Sequence, residues 1–261
     1  MNSEIIQRHG DALFEALRGN TTVPPLTEQH EDLSINAAYR ISLHFLQRRL
    51  DDGEHVIGKK IGVTSKAVQD MLNVHQPDFG YLTDRMVHAD GDTIPVKGNL
   101  IAPRAEGEIA FVLKRDLQGP GVTSAEVLAA TDYVFPCFEI VDSRIEDWRI
   151  RIQDTVADNA SCGVFALGDT GLRPSDLDLS TCGMVMEKNG EIVASGAGAA
   201  ALGSPLNCVA WLANTLGRLG VPLKAGEVIL SGSLVPLVPV APGDHIQVTV
   251  GNLGSCSLRF G

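Results

Sequence analysis

The chain is short of the residues that build common metal and redox sites. Its five cysteines, at 137, 162, 182, 208 and 256, are odd in number and widely spaced, and no Cys-x-x-Cys pair occurs. This excludes a zinc knuckle or a disulfide framework and leaves buried, reduced thiols as the expectation. None of the seven histidines stands in a His-x-x-x-His spacing. There is no run of about 18 apolar residues to span a membrane, and the start, MNSEIIQRHG, lacks the pattern of a signal peptide. A cytoplasmic protein without a membrane segment is therefore expected. Positive charge is scarce as well: 21 Lys and Arg stand against 32 Asp and Glu, a net charge of −11. Such a surface suits neither nucleic acid nor an anionic membrane.

The scarcity of positive charge sets a condition on function. If this protein binds an acidic small molecule, it needs a local positive centre, which a divalent metal, a lysine or an arginine must supply. The length, 261 residues with 44% hydrophobic content, fits one large domain, or a domain with a small appendage, around a substantial core.

Helical spacing comes first along the chain. Residues 3–18 place Ile5, Ile6, Leu13 and Leu17 near one face, and residues 34–50 do the same with Ile35, Ala38, Ile41, Phe45 and Leu46. Ser34 reads as an N-cap and Gly53 as a stop. From about residue 80 the texture changes to strands at 108–117, 133–143, 183–196, 227–232 and 244–260. Asn189-Gly190 between two strand runs predicts a tight hairpin. A further helix is expected over 205–219, capped by Ser204, started by Pro205 and ended by Gly220. Helices followed by a strand-rich body point to an α+β fold, not a repeated βαβ fold.

The stretch 103-PRAEGEIAF-111 opens a strand with Glu106 and Glu108 one position apart. Alternate side chains of a strand share a face, so the two carboxylates stand side by side, roughly 6–7 Å apart along the backbone. A third acid, Glu139, lies in the apolar run 137-CFEIVDSR-144. A buried carboxylate without a partner is costly, so burial of all three implies pairing or a metal. Oxygen ligands without Cys or His suit a hard cation such as Mg²⁺ or Mn²⁺.

Lys59 and Lys60 occur in 58-GKKIGVTS-65; in a strand with Ile57 and Ile61, one would face solvent and the other could point inward. Asp78, in 76-QPDFGYL-82, stands after Pro77 in a turn-like context. The glycine-rich 196-GAGAAALGSP-205 matches a loose dinucleotide-binding turn, but no acidic residue closes a second strand about 20 residues later, so an oxidoreductase is rejected. These glycines instead fit close backbone approach to a small ligand or tight packing.

Taken in order, 58-GKKIGVTS-65, 76-QPDFGYL-82, 103-PRAEGEIAF-111, 137-CFEIVDSR-144, 154-DTVADNASCG-163, 196-GAGAAALGSP-205 and 228-VILSGS-233 resemble the 2-hydroxypenta-2,4-dienoate (2-oxopent-4-enoate) hydratases of aromatic meta-cleavage pathways, within the fumarylacetoacetase-like superfamily. The resemblance spans nearly the whole chain. It implies a small helical region over residues 1–60 and a β-rich, metal-dependent catalytic domain over 61–261, its core a mixed, rolled β-structure. It implies Mg²⁺ or Mn²⁺ on Glu106, Glu108 and Glu139, an active-site Lys60, and Ser161 and Ser233 lining the substrate pocket. Lys60 and Asp78 are the candidate proton carriers.

The expected reaction is that of a hydro-lyase adding water to 2-hydroxypenta-2,4-dienoate to give 4-hydroxy-2-oxopentanoate. The alternative is the sibling 2-oxo-3-hexenedioate (4-oxalocrotonate) decarboxylase, which shares the metal site. An acid/base group at Asp78 favours hydration, because decarboxylation needs no group to deliver water. A third reading, a non-catalytic assembly partner, fits poorly with an intact carboxylate triad. The resemblance also implies a homo-oligomer that can associate with the pathway decarboxylase or aldolase.

Overall fold

The computed structural model describes residues 1–71 and 73–261. Helices α1 (Ser3–Gly19), α2 (Leu26–Gln29) and α3 (Ile35–Asp51) come first. Asn2 caps α1 through a bond from the Ile5 N–H, and Ser34 caps α3 through one from the Ala37 N–H. The chain then runs through β1 (Val56–Gly62), α4 (Lys66–Met71), β2 (Asp78–Thr83), β3 (Val87–His88), β4 (Thr93–Ile94), β5 (Arg104–Leu113), α5 (Ser124–Ala130) and β6 (Thr131–Val141). It continues through α6 (Ile152–Ala157), β7 (Cys162–Leu167), β8 (Gly183–Lys188), β9 (Glu191–Ala197) and α7 (Pro205–Gly217). Strands β10 (Val228–Leu230), β11 (Val238–Pro239), β12 (His245–Val250) and β13 (Gly254–Phe260) complete it.

The described strands form two sheets. The larger has eight strands, in the order β2-β1-β10-β5-β6-β7-β3 with β11 also on β5, and the smaller is β4-β13-β12-β8-β9. Parallel pairs (β1 with β10, β3 with β7) mix with antiparallel ones, as an α+β fold with a mixed sheet requires. Ile109, Phe111, Phe138 and Ile140 on one face of the large sheet share a core with Met184, Met186, Val248 and Leu258 of the small one. The sheets approach closely at Gly107, where a Cβ would lie 2.6 Å from Met184 Sδ and 2.8 Å from Val248 Cγ1. The helices bury Leu13, Phe14, Ile41 and Phe45 in a second core with Ile145 and with Val156 and Ala157 of α6. Each of the larger of these side chains contributes about 1.5–3 kcal/mol.

Several boundaries differ from the sequence pattern. The strand expected at 108–117 runs over Arg104–Leu113, because its pairing with β6 starts at Arg104 opposite Val141. The strand expected over 227–232 is reduced to Val228–Leu230. Ser204 occupies the cap position of α7, but its hydroxyl makes no capping bond and is buried without a partner. A domain boundary after residue 60 falls inside β1, whose strand already pairs from Val56. The hairpin at Asn189-Gly190 forms as expected, with φ of 57° and 83°. Among the described residues no helix is long and apolar enough to cross a membrane.

Candidate active site

The strand registers bring the site together. Glu106 pairs with Glu139 and Glu108 with Cys137 across β5 and β6. Paired residues of neighbouring strands point to the same face. Leu230 pairs with both Ala110 and Lys60, and β2 sets Gly80 opposite Lys60 and Asp78 opposite Gly62. Lys60, Asp78, Glu106, Glu108 and Glu139 therefore all stand on the face of the large sheet that looks away from the small sheet. Apolar Leu82, Ala110, Cys137, Phe165 and Leu230 surround them.

Carboxylate oxygens of Glu106, Glu108 and Glu139 lie within 4.8 Å of one another. Glu108 and Glu139 are fully buried, and Glu106 is the partly exposed member, at a cavity of about 280 Å³. Glu108 Oε2 accepts a bond from the Gly232 N–H at 2.8 Å, while Glu108 Oε1 and both oxygens of Glu139 have no hydrogen-bond partner among the described residues. Lys60 Nζ lies 3.1 Å from Glu139 Oε1, close enough for an ion pair although not aligned as a hydrogen bond, and it donates to the Ala160 carbonyl at 3.1 Å. Burial, with Glu139 adding, pushes the Glu106 carboxyl up to about 8, and burial beside Glu139 and Glu106 also raises Glu108 well above the ordinary glutamate value. Burial opposes the charge on Lys60, but Glu139, Asp78 and Glu106 hold its pKa above that of an ordinary lysine.

One lysine cannot neutralise three converging carboxylates. The unpartnered buried oxygens and the all-oxygen donor set fit a hard divalent cation, with Glu106, Glu108 and Glu139 as its ligands.

Asp78 is buried, and neither carboxylate oxygen has a hydrogen-bond partner among the described residues. Burial pushes its carboxyl above the ordinary aspartate value against the pull of Lys60, and Glu139 adds to the push. Ser233 lines the same cavity as Glu106, but its hydroxyl is tied to the Val235 carbonyl at 2.7 Å. Ser161 is buried, its hydroxyl without a partner among the described residues, one residue beyond the carbonyl that receives Lys60. The expectation that one of the paired lysines faces solvent fails: Lys59 is buried on the opposite face and held by Glu227 at 2.5 and 2.7 Å.

Residues 53–260 match the fumarylacetoacetate (FAA) hydrolase C-terminal family. The chain belongs to the FAA hydrolase family. It is 60% identical over 260 residues to a 2-hydroxyhexa-2,4-dienoate hydratase of Comamonas testosteroni, covering 99% of this chain and 98% of the relative. It is 65% identical over 221 residues to a 2-hydroxypent-2,4-dienoate hydratase of Pseudomonas putida, covering 85% of this chain and all of the relative. Among solved structures it resembles the 4-oxalocrotonate decarboxylase of Pseudomonas putida G7, complexed with magnesium and adipate, with a TM-score of 0.96 at 38% identity over 100% of this chain and 99% of that one.

In this FAA hydrolase family member, several contributors to the site escaped the sequence pattern. Gly62 lets Asp78 approach, since a Cβ there would lie 2.3 Å from Asp78 Oδ1. Gly232, at φ 90°, turns its N–H onto Glu108, a role that the glycine in 228-VILSGS-233 could have signalled. Asn159, Ala160 and Ser161 have φ of 54°, 52° and 52°, three successive left-handed residues without a glycine. No local sequence rule predicts that run, and each such residue costs on the order of 1–3 kcal/mol unless its surroundings enforce it.

Proposed function

We propose that the protein is a divalent-metal-dependent hydro-lyase that hydrates 2-hydroxypenta-2,4-dienoate to 4-hydroxy-2-oxopentanoate, with Mg²⁺ or Mn²⁺ as the ion. The observation that carries this reading is the likeness, over nearly the whole chain, to the two dienoate hydratases. The site supports it with an acid/base group, Asp78, facing Lys60 beside the carboxylate cluster.

Glu106, Glu108 and Glu139 would hold the ion, which supplies Lewis acidity toward the 2-oxygen and carboxylate end of the substrate. Lys60 adds the nearby positive charge, fixed by Glu139 and the Ala160 carbonyl, and either stabilises charge on the 2-oxygen or moves its proton. The dienol proton leaves as C5 gains one, giving the conjugated 2-oxo-3-enoate. Water then adds at C4 and a proton at C3. Asp78, with its raised pKa, can hold a proton for one step and accept one from water in the other. Ser161 and Ser233 are the proposed substrate contacts.

A second reading is 4-oxalocrotonate decarboxylation, which the likeness to the solved decarboxylase favours. The cavity at Glu106 argues against it. Val63, Val68, Leu234, Val235 and Leu237 line it, with no lysine, arginine or histidine among its described lining residues. The second carboxylate of a hexenedioate would find no cationic partner there. Incubation with each substrate separates the readings: loss of dienoate absorbance without carbon dioxide release is expected. Carbon dioxide from the hexenedioate, with the dienoate untouched, would overturn the hydratase reading. The same proposal places the enzyme in the cytoplasm as a homo-oligomer, able to associate with the pathway decarboxylase or aldolase.

A further inference from the structure

We propose that the loop Asn159–Ala160–Ser161 is a positioning device for Lys60: its left-handed backbone turns the Ala160 carbonyl onto Lys60 Nζ and so aims the ammonium over the carboxylate cluster. The kinetic part of this inference rests on the hydratase reading.

A lysine ammonium is a point charge on a flexible stem with no built-in direction. Held by Glu139 alone, it would settle against that carboxylate. The Ala160 carbonyl, at 3.1 Å, supplies a second contact that fixes direction without cancelling charge. The carbonyl reaches that point only because the loop bends as it does.

The bend is anchored from both sides. The Asn159 side chain accepts from the Tyr81 N–H at 2.8 Å and donates to the Tyr81 carbonyl at 2.9 Å, latching the loop onto β2. Gly80 makes room for it, since a Cβ there would lie 2.5 Å from the Asn159 carbonyl oxygen. On the other side Arg144, 1% exposed, binds the Asp158 carboxylate at 2.6 Å. It also donates to the Asp158 carbonyl at 2.7 Å and the Cys162 carbonyl at 2.9 Å, so the residues flanking the loop are both pinned. A left-handed run of non-glycine residues persists where surrounding contacts over-determine it, and such runs gather at functional sites. Filling a core does not explain it, because Ala160 and Ser161 contribute little volume and the Ser161 hydroxyl is left without a partner among the described residues.

The test uses Ala160→Gly and Asn159→Gly in the full-length, Mg²⁺-loaded protein. Glycine accepts φ near 52° without strain, so Ala160→Gly keeps the carbonyl but loosens its aim. Misplacement by an ångström can cost about 10²-fold in rate. We expect kcat to fall about tenfold in Ala160→Gly and up to about 10²-fold in Asn159→Gly, with KM within about threefold. Mg²⁺ affinity by calorimetry and the melting temperature of Ala160→Gly should stay near wild type. Asn159→Asp, which keeps the acceptor for the Tyr81 N–H, should recover part of the rate. Wild-type kcat in both glycine variants overturns the proposal, as does a fall in kcat that merely tracks lost metal affinity or lost stability. If the wild type hydrates no dienoate, the hydratase reading fails by itself, and the same comparison is made on carbon dioxide release from the hexenedioate.

Discussion

Gly62 and Asp78 face each other across β1 and β2, so closely that a Cβ on Gly62 would lie 2.3 Å from Asp78 Oδ1 and 3.0 Å from Lys60 Nζ. The absent side chain is what lets an acid and an ammonium share one buried corner. Gly62→Ala should therefore push Asp78 aside. Overpacking of this kind costs about 1–3 kcal/mol, and kcat should fall by about 10²-fold as the proposed proton carriers lose register. Thermal melting and steady-state kinetics on the same preparation check both effects; a wild-type kcat would show that the Gly62–Asp78 contact does not matter to turnover.

Much of this site was legible in the sequence, and the reason is geometric. The alternation of Glu106 and Glu108 puts them on one face of any strand, whatever the strand pairs with. Glu139 joins them only because the β5–β6 register sets it opposite Glu106, and no local pattern encodes that register. The burial of both paired lysines is hidden for the same reason: Glu227, the partner of Lys59, is distant in sequence, so the ion pair that permits burial is invisible locally. The helices were legible through apolar spacing and Ser34. The left-handed Asn159–Ser161 run was not, because the partners that hold it, Tyr81 for the Asn159 side chain and Arg144 for the flanking residues, come from elsewhere in the chain.

The carboxylate cluster makes a prediction about metal removal. Without an ion, three converging acids destabilise the fold, and an ion that binds only the folded protein stabilises it by about 2.7 kcal/mol at 100 times its Kd. Chelation should abolish turnover, and Mg²⁺ should restore both activity and the higher melting temperature. Glu108→Gln keeps an acceptor for the Gly232 N–H but removes one charge. The variant should melt at or above the temperature of the metal-free wild type and show no Mg²⁺-dependent rise. Full activity in excess chelator would rule out the metal site.

A pH effect is expected far from this site. His9, 5% exposed, meets His30 with a 2.9 Å Nε2–Nε2 contact that joins α1 to the segment before α3. Burial, then the charges of His30 and Arg8, lowers the His9 pKa from 6.5 to about 4. Between those values the unfolded chain binds a proton that the folded one refuses, so stability falls as pH drops through that window. His9→Leu should flatten this part of the melting-temperature profile. An equally steep fall in the variant would assign the acid sensitivity to other groups.

Asp78 carries the last prediction, because the proposed hydration step depends on it. Asp78→Asn keeps the shape of the side chain and removes its ability to take a proton from water. The proposed metal ligands are untouched, so Mg²⁺ binding should persist. General acid–base groups typically contribute about 10²–10⁴-fold, and water addition at C4 should slow by that order. The earlier ketonisation can proceed with Lys60 in place, so deuterium from solvent should still enter at C5 of the substrate. The two steps are followed together, by deuterium incorporation and by formation of 4-hydroxy-2-oxopentanoate. Slow hydration with continuing C5 exchange assigns Asp78 to the water step, and loss of both assigns it to both proton transfers. If both run at wild-type rates, Asp78 is a buried structural acid, and hydration must draw its base from elsewhere on the same face of the sheet.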